Sequence, residues 1–346
     1  MKTIQINEGA IKLRIPDPKK YKLDAQSPAF YNPAMTSNRD ISILLLKVFF
    51  GKKKFNALDL LSATGARAIR IKKEIPNSNV WANDAKKSAF ALIKENAKLN
   101  KLKIKITNDF AWDLLMESKG FDYIDLDPFG TPAPFLDAVV QKLNPNSILA
   151  VTATDTTVLC GAEYKACVRR YKARPLHNYL MHEVGVRILA KYVIETGLKH
   201  KLSLKPIFSQ STRHYMRIYF KAIKNFKPVK EIKVWKSAGP MWLGSLWDGD
   251  LIKQMLNLSR SLSPKIILRE TVNLLYKISE EAKIPTVGFL DLAEMKLKQV
   301  PKISDVISKL QQKGFAASRT HFSPTGIRTN AKEKEFEKIL RSLLTG

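Results

Sequence analysis

FNALDLLSATGARAIR, residues 55–70, reads as an apolar strand (Phe55–Leu61) that runs into a loop of small residues and then into a helix around Ile69. Within the loop, Gly65 permits a tight turn or a close approach of a ligand to the backbone. A doubly wound α/β sheet binds its nucleotide at such a loop, at the carboxyl end of the first strand. Asp59, Ser62, Thr64 and Gly65 are therefore candidate ligand contacts. One Gly and one Ser also occur in ordinary strand-to-helix turns, so the stretch has to be read with its surroundings.

Outward from it the pattern repeats. Between Phe55 and Ala153, short apolar or β-branched runs alternate with segments whose apolar residues recur at helical spacing. Further strands are expected near Asn79–Ala82, Lys103–Thr107, Phe121–Leu126 and Ser147–Thr152, with amphipathic helices over Ile41–Phe50 and Lys86–Asn100. Such alternation predicts one parallel sheet. Tyr164–Thr196 reads as mostly helical, and the strand-like segments His200–Phe208 and His214–Tyr219 are candidates to extend the sheet. The lysine-spaced run Lys221–Lys230, closed by Pro228, is the best linker and divides the chain into residues 1–222 and 223–346. The second part holds helical segments at Leu251–Leu262, Arg269–Ala282 and Ile303–Lys313 and a turn at Ser323–Gly326, as expected of a smaller, basic α+β domain.

The 346 residues include 59 Lys and Arg against 31 Asp and Glu, a net charge of +28 that points to a polyanionic partner, with a solvated charged surface as the alternative. With 45% apolar residues the chain builds proper cores and is not disordered. Cys160 and Cys167 alone make neither a disulfide framework nor a four-cysteine zinc site, which fits a reducing cytosol. Met1 to Ile15 alternates polar and apolar residues without the apolar core of a secretory leader. The most apolar stretch, Ile41–Phe50, is broken by Lys47 and far shorter than the roughly 20 residues a membrane helix needs.

The second strand ends in Asn83-Asp84, and a carboxylate there suits a ribose diol, since it accepts both hydroxyl hydrogens. The third ends in Thr107-Asn-Asp109-Phe110, where an acid can accept from an adenine amino group. No G-x-G-x-x-G turn and no phosphate-cradling G-x-x-x-x-G-K-[ST] run is present, which disfavours NAD and ATP. A ribose and an adenine without phosphates describe S-adenosyl-L-methionine. The fourth strand closes with Asp125-Leu-Asp127-Pro128-Phe129-Gly130. An exocyclic amine is a poor nucleophile until acceptors draw its hydrogens. The Asp127 carboxylate and the Pro128 carbonyl suit that task, and Phe129 suits stacking on an extruded base. Asp-Pro and Phe-Gly are otherwise ordinary turn punctuation. His182-Glu183 lacks the second His of a zinc hydrolase, Cys167 has no paired His, and the two tryptophans of Gly239–Asp248 fit domain packing as well as base stacking.

At this point the chain resembles, nearly end to end, the tRNA guanine-26 N2-dimethyltransferases, and their archaeal members in particular. The blocks that carry the resemblance are Phe30–Asp40, Asp59–Arg67, Asn83-Asp84, Asp127–Pro132, His182–Arg187, Gly239–Gly244 and Ser318–Pro324. The resemblance implies a class I (Rossmann-like) S-adenosyl-L-methionine-dependent methyltransferase sheet, followed by a family-specific C-terminal domain that contacts tRNA. It implies two methyl transfers to N2 of one guanosine. It makes Arg39 and Arg67 cofactor arginines, Asp84 the ribose acid, Asp109 with Phe110 the adenine side, and Asp127, Pro128 and Phe129 the catalytic loop. Phe30, Phe129 and Gly130 fall on the substrate side. Two departures stand out: Phe110 replaces a small residue, and two cysteines cannot form the four-cysteine zinc cluster of some relatives, so no metal is expected. A cytoplasmic monomer is expected. The rival readings are a related amino-methyltransferase acting on another RNA guanine or a DNA base, and an inactive RNA-binding relative.

Overall fold

The computed structural model of the chain describes residues 1–212, 214–223, 229–295 and 299–344. A hairpin comes first, β1 (Thr3–Glu8) and β2 (Ile11–Pro16), turning at Gly9 with φ +53°. The alternation of the first residues is this hairpin, with Ile11, Leu13 and Ile15 packed on Ala66 and Ile69. Two asparagines dock it as a strand would. Asn96 accepts from the Arg14 amide at 2.7 Å and donates to the Arg14 carbonyl at 2.9 Å, and Asn100 does the same for Lys12 at 3.0 and 2.6 Å.

The sheet unit follows as α1 (Thr36–Phe50), β3 (Phe55–Asp59), α2 (Ala66–Glu74), β4 (Ser78–Asn83), α3 (Lys87–Leu99), β5 (Lys105–Thr107), α4 (Ala111–Glu117), β6 (Phe121–Leu126), α5 (Leu136–Val140) and β7 (Leu143–Ala153). Next come α6 (Thr156–Leu159), α7 (Tyr164–Tyr171), α8 (Met181–Lys199), β8 (Ser203–Ser211) and β9 (Met216–Ile223). The strand order is β5-β4-β3-β6-β7-β9-β8. The first five are parallel, as expected, and the β8–β9 pair extends the sheet with β9 antiparallel to both neighbours. The chain moves outward from β3 to β5 and then returns to the other side of β3 with β6. That reversal opens a crevice at the carboxyl ends of β3 and β6, where doubly wound sheets bind ligands.

Two expectations change in detail. β7 starts at Leu143 rather than Ser147, because the Asn144 amide donates to Asp122 at 2.8 Å and carries the pairing through an irregular stretch. The helical reading of Tyr164–Thr196 divides after Tyr171. Pro175 disfavours helix in the residue before it, and Arg174 instead forms a bridge with Gly239.

The remainder comprises β10 (Ile232–Trp235), β11 (Ala238–Trp242), α9 (Gly249–Ser261), α10 (Arg269–Glu281), β12 (Leu290–Asp291), α11 (Ile303–Gln312), β13 (Ala317–Arg319), β14 (Gly326–Thr329) and α12 (Glu333–Leu344). Met241, Trp247, Ile252, Leu275 and Phe289 join the same apolar core as the large sheet, so residues from both sides of position 222 share one core. A second cluster around Leu292, Val306, Ile327 and Phe336 belongs to the small sheet β12-β14-β13 with α11 and α12. Residues 224–228 of the expected linker lie outside the described residues. Among the described residues no helix is long and apolar enough to cross a membrane.

Candidate active site

β3 ends at Asp59, and the chain then turns through Ala63 (φ +50°) and Gly65 (φ +77°) into α2. Ser62 Oγ donates to the Asp59 carbonyl at 2.8 Å. A Cβ at Gly65 would meet the Ile93 side chain at 3.2 Å, so both the left-handed backbone and the close packing call for glycine. Asp84, just past β4, ties this loop down: one carboxylate oxygen accepts from the Ala63 amide and the other from the Lys86 amide, each at 2.9 Å. Each oxygen keeps a lone pair for a ligand hydroxyl. Asn83 side-chain N donates to the carbonyls of Leu60 and Asp109, at 3.2 and 3.0 Å, and its Oδ1 accepts from the Asp109 amide at 3.1 Å. The loops after β3 and β5 are thereby fixed by one buried amide, Asn83, to which the residue pattern alone assigns no role.

The loop after β6 carries Asp127, which is partly exposed, and Arg67 Nη2 donates to its Oδ2 at 2.7 Å. Arg67 also reaches Asp125 (Nε to Oδ2, 3.2 Å) and Ser42 Oγ (2.6 Å). Asp125 sits at the centre of a buried cluster, gripped by Arg217 at 2.5 and 3.1 Å and by the Tyr123 hydroxyl. Burial alone would raise the Asp125 pKa, but the Arg217 and Arg67 guanidiniums outweigh it and hold the group below its ordinary value. Asp59 is pushed the other way: burial raises its pKa well above the carboxylate range, and the nearby Asp125 charge adds to this against the pull of Arg67. Two guanidiniums thus face the carboxylates of Asp125 and Asp127, and a third negative charge at Asp59 is disfavoured.

A cavity of about 900 Å³ opens over these strand ends. Asp59, Ser62, Thr64 and Asp84 line it together with Arg39, Arg67, Asp127 and Pro128. Phe30 and Phe129 close it, edge to face with ring centres 4.7 Å apart, and Phe129 is 53% exposed. Gly65, Asp109, Phe110 and Gly130 are not part of the cavity wall. Phe110 points largely into solvent, and Gly130 (φ +77°) fixes the loop by exchanging hydrogen bonds with Thr154, 2.6 Å from its amide to Oγ1 and 2.8 Å to its carbonyl. The cavity has room for a nucleoside ligand together with a base. Its donors and acceptors are those of a ribose and an amino acid, and the one glycine of the β3 loop makes no phosphate cradle.

Among the described residues no cluster of three or more His, Cys, Asp or Glu has the arrangement of a metal site. Cys160 and Cys167 are unpaired, and burial pushes both thiols up to about 12. The blocks at His182, Gly239 and Ser318 lie away from the cavity and meet one another. Glu183 is bound by Arg187 at 2.9 Å and by Arg328 at 2.7 Å, Arg187 donates to the Trp242 and Gly244 carbonyls, and Arg328 with His321 grips Glu281. These signature residues build a buried ionic junction between α8, α10 and the small C-terminal sheet.

A profile of the family described as N2,N2-dimethylguanosine tRNA methyltransferase matches residues 9–235 and 228–341. The tRNA (guanine(26)-N(2))-dimethyltransferase of Pyrococcus furiosus is 37% identical over 383 aligned residues, covering 99% of both chains. The enzyme of the same description from Methanothermobacter thermautotrophicus is 35% identical over 384, again covering 99% of each. The solved structure of Trm1 from Pyrococcus horikoshii with S-adenosyl-L-methionine superimposes with a TM-score of 0.85 at 35% identity, over 97% of this chain and 99% of that one.

Proposed function

Because the chain belongs to the N2,N2-dimethylguanosine tRNA methyltransferase family, we infer from its residues how it performs that reaction. It transfers two methyl groups from S-adenosyl-L-methionine to the exocyclic N2 of guanosine 26 in tRNA. The observation that carries the assignment of roles is that Asp127, Pro128 and Phe129 line the same cavity as Asp59, Ser62, Thr64 and Asp84. Amine-side and nucleoside-side groups therefore meet in one space that holds both reactants.

The N2 lone pair of guanine is delocalised into the ring, so the protein's task is to localise it. The Asp127 carboxylate and the Pro128 carbonyl accept the N2 hydrogens and favour a pyramidal nitrogen. The exposed ring of Phe129, on a loop that Gly130 fixes to Thr154, and the ring of Phe30 stack on the extruded base. When bound, S-adenosyl-L-methionine supplies an electrophilic methyl group on a sulfonium that needs no activation. As the nitrogen–carbon bond forms the methyl–sulfur bond breaks, leaving the neutral thioether S-adenosyl-L-homocysteine, and Asp127 takes the proton that N2 sheds and passes it to solvent through its exposed edge. Alignment of the amine against Asp127 supplies most of the rate. Arg67 acts through Asp127, because its guanidinium is already engaged with Asp127, Asp125 and Ser42. Arg39 serves the methionine carboxylate and Asp84 the ribose.

Residues 223–346 are taken to contribute to the RNA-docking surface; the net charge of +28 is spread over the whole chain and supports phosphate contacts from both parts. A monomer is proposed, and a tRNA substrate with two free buried thiols agrees with the cytoplasm. The test is methyl transfer from labelled S-adenosyl-L-methionine to an unmodified tRNA transcript, mapped by mass spectrometry. Dimethylguanosine at position 26 with wild type, lost with Asp127→Ala, is expected. Binding to tRNA falls steeply with salt, and a flat titration would overturn the phosphate-contact reading.

A further inference from the structure

Glu8 brings a carboxylate to the site from outside every motif in the sequence. It ends β1, is 4% exposed, and gathers donors on both oxygens. Arg39 Nε reaches Oε1 at 2.6 Å and Arg39 Nη2 reaches Oε2 at 2.7 Å, while the Tyr31 hydroxyl donates to Oε2 at 2.8 Å. Arg70 Nη1 and Thr36 Oγ1 add longer contacts at 3.3 and 3.4 Å. Burial opposes the charge on Glu8, but Arg39 and Arg70 outweigh it and hold the group down to about 2.

Two of these partners face the ligand cavity. Arg39 and Tyr31 both line it, and Tyr31 follows Phe30, the ring set against Phe129. The fork on Glu8 engages the Nε and Nη2 edge of Arg39. Among the described residues its Nη1 has no protein partner, and it is the part of the guanidinium left for an anionic ligand. The other side of this partition is open: a second cavity of about 430 Å³ is lined by Glu8, Tyr31, Lys265 and Ile266. Tyr31 has space on both sides, and Arg39, whose Nη2 also reaches the Asn32 carbonyl at 3.2 Å and Thr36 Oγ1 at 3.3 Å, makes its shortest bonds to Glu8, so directional bonds to Glu8 hold both groups in place.

Resting on the reading of Arg39 and Phe30 given above, we propose that Glu8 is a positioning residue. It fixes the Arg39 fork toward the carboxylate of the cofactor's amino-acid end and, through Tyr31, fixes Phe30 against the base, so that one buried carboxylate sets both halves of the site in register. Neither group it orients is itself on the N-terminal hairpin, and Glu8 touches neither reactant.

The experiment uses the full-length protein with S-adenosyl-L-methionine in calorimetry and unmodified tRNA in steady-state kinetics. Glu8→Gln keeps the shape but turns an amide toward the guanidinium. It is expected to weaken cofactor binding about tenfold, the size of a lost hydrogen bond to a charged group, and to raise the KM for tRNA, while kcat at saturation stays within about threefold. Tyr31→Phe removes only the hydroxyl link and is expected to raise the KM for tRNA severalfold with cofactor affinity unchanged. A Glu8→Gln protein that melts earlier but keeps wild-type cofactor affinity and tRNA KM overturns the proposal. Where Glu8→Gln does not fold, Tyr31→Phe decides: unchanged tRNA KM, or an equal loss of cofactor affinity, overturns it. Wild-type protein that binds no cofactor would sink the functional reading itself, which keeps the two failures apart.

Discussion

Arg67→Lys separates two roles for a residue that the sequence places near the cofactor. In the structure its guanidinium spans Asp127, Asp125 and Ser42 at 2.7, 3.2 and 2.6 Å, and it is the one hydrogen-bond partner of Asp127 among the described residues. A lysine ammonium is a single point on a flexible stem and cannot span both carboxylates. Asp125 keeps its fork to Arg217, so the ammonium's loss falls mainly on Asp127. A carboxylate released from its only tether sweeps by about 1 Å, and a misplacement of that size costs about 100-fold in rate. That is about 2.7 kcal/mol of transition-state stabilisation. The expected result for Arg67→Lys is kcat down about 100-fold, cofactor affinity within about threefold of wild type, and a folded protein by circular dichroism. Single-turnover kinetics at saturating cofactor and tRNA, with calorimetry for cofactor binding, read both quantities. Normal kcat at saturation with cofactor affinity down about 100-fold would refute the reasoning and put Arg67 on the cofactor.

Further perturbations test other parts of the site. Asp127→Asn keeps the volume but accepts fewer hydrogens and no proton, so methyl transfer should fall at least about 100-fold with cofactor binding intact, and normal turnover would remove Asp127 from the mechanism. Phe129→Ala should raise the KM for tRNA by about five- to 100-fold, the size of one base–aromatic stack, with Phe129→Trp largely restoring it. Acid stability has a definite sign. For Glu281 burial favours the neutral form, but His321 and Arg328 outweigh it and bring the pKa from 4.5 down to about 2. Because the folded value lies below the unfolded one, its stabilisation is present above about pH 5 and is lost as pH falls toward 2, up to about 3 kcal/mol. Melting temperatures of wild type and Glu281→Gln across that window check it: the wild-type decline should be the steeper, and parallel curves would refute the pairing. Neither Cys160 nor Cys167 should react with iodoacetamide in the native protein at neutral pH, since both thiols titrate near 12.

The cofactor side of the site was legible because of where β strands end. An apolar run that stops at an acid marks a strand end by period and the acid by contrast, which is how Asp59, Asp84 and Asp127 stood out in sequence. The supports behind them did not stand out. Arg217 lies between Met216 and Ile218 on β9, so its charge reads as the outward half of an ordinary alternation, although the neighbouring strands bury it completely. Asp125 does carry a signal: β6 also holds Asp122 near its start, but Asp125 sits between Ile124 and Leu126 in a central parallel strand, and a charge there needs a buried partner. Glu8 had none, because its partners Arg39 and Arg70 are distant in sequence and no local pattern links them to the hairpin. The helical division at Pro175 was legible and overlooked, and the junction built by Glu183, Glu281 and Arg328 depends on contacts that only a folded chain displays.

The Glu183–Arg328 junction joins residues 145 positions apart, and the Asp40 contacts to Leu268 and Thr271 span 228 and 231. These bonds give the order of events on the ribosome. At about 5–20 residues per second, Arg328 is added roughly 7–30 s after Glu183. For that interval helix α8 exposes an acid made to be dry, while the sheet around it has already emerged. The flank of the catalytic half at α8 therefore matures last: it closes only once Arg328 has been added. A ribosome that stalls late releases a chain with an assembled cofactor pocket and an open flank, and such a chain is a substrate for chaperones and proteases before it is an enzyme.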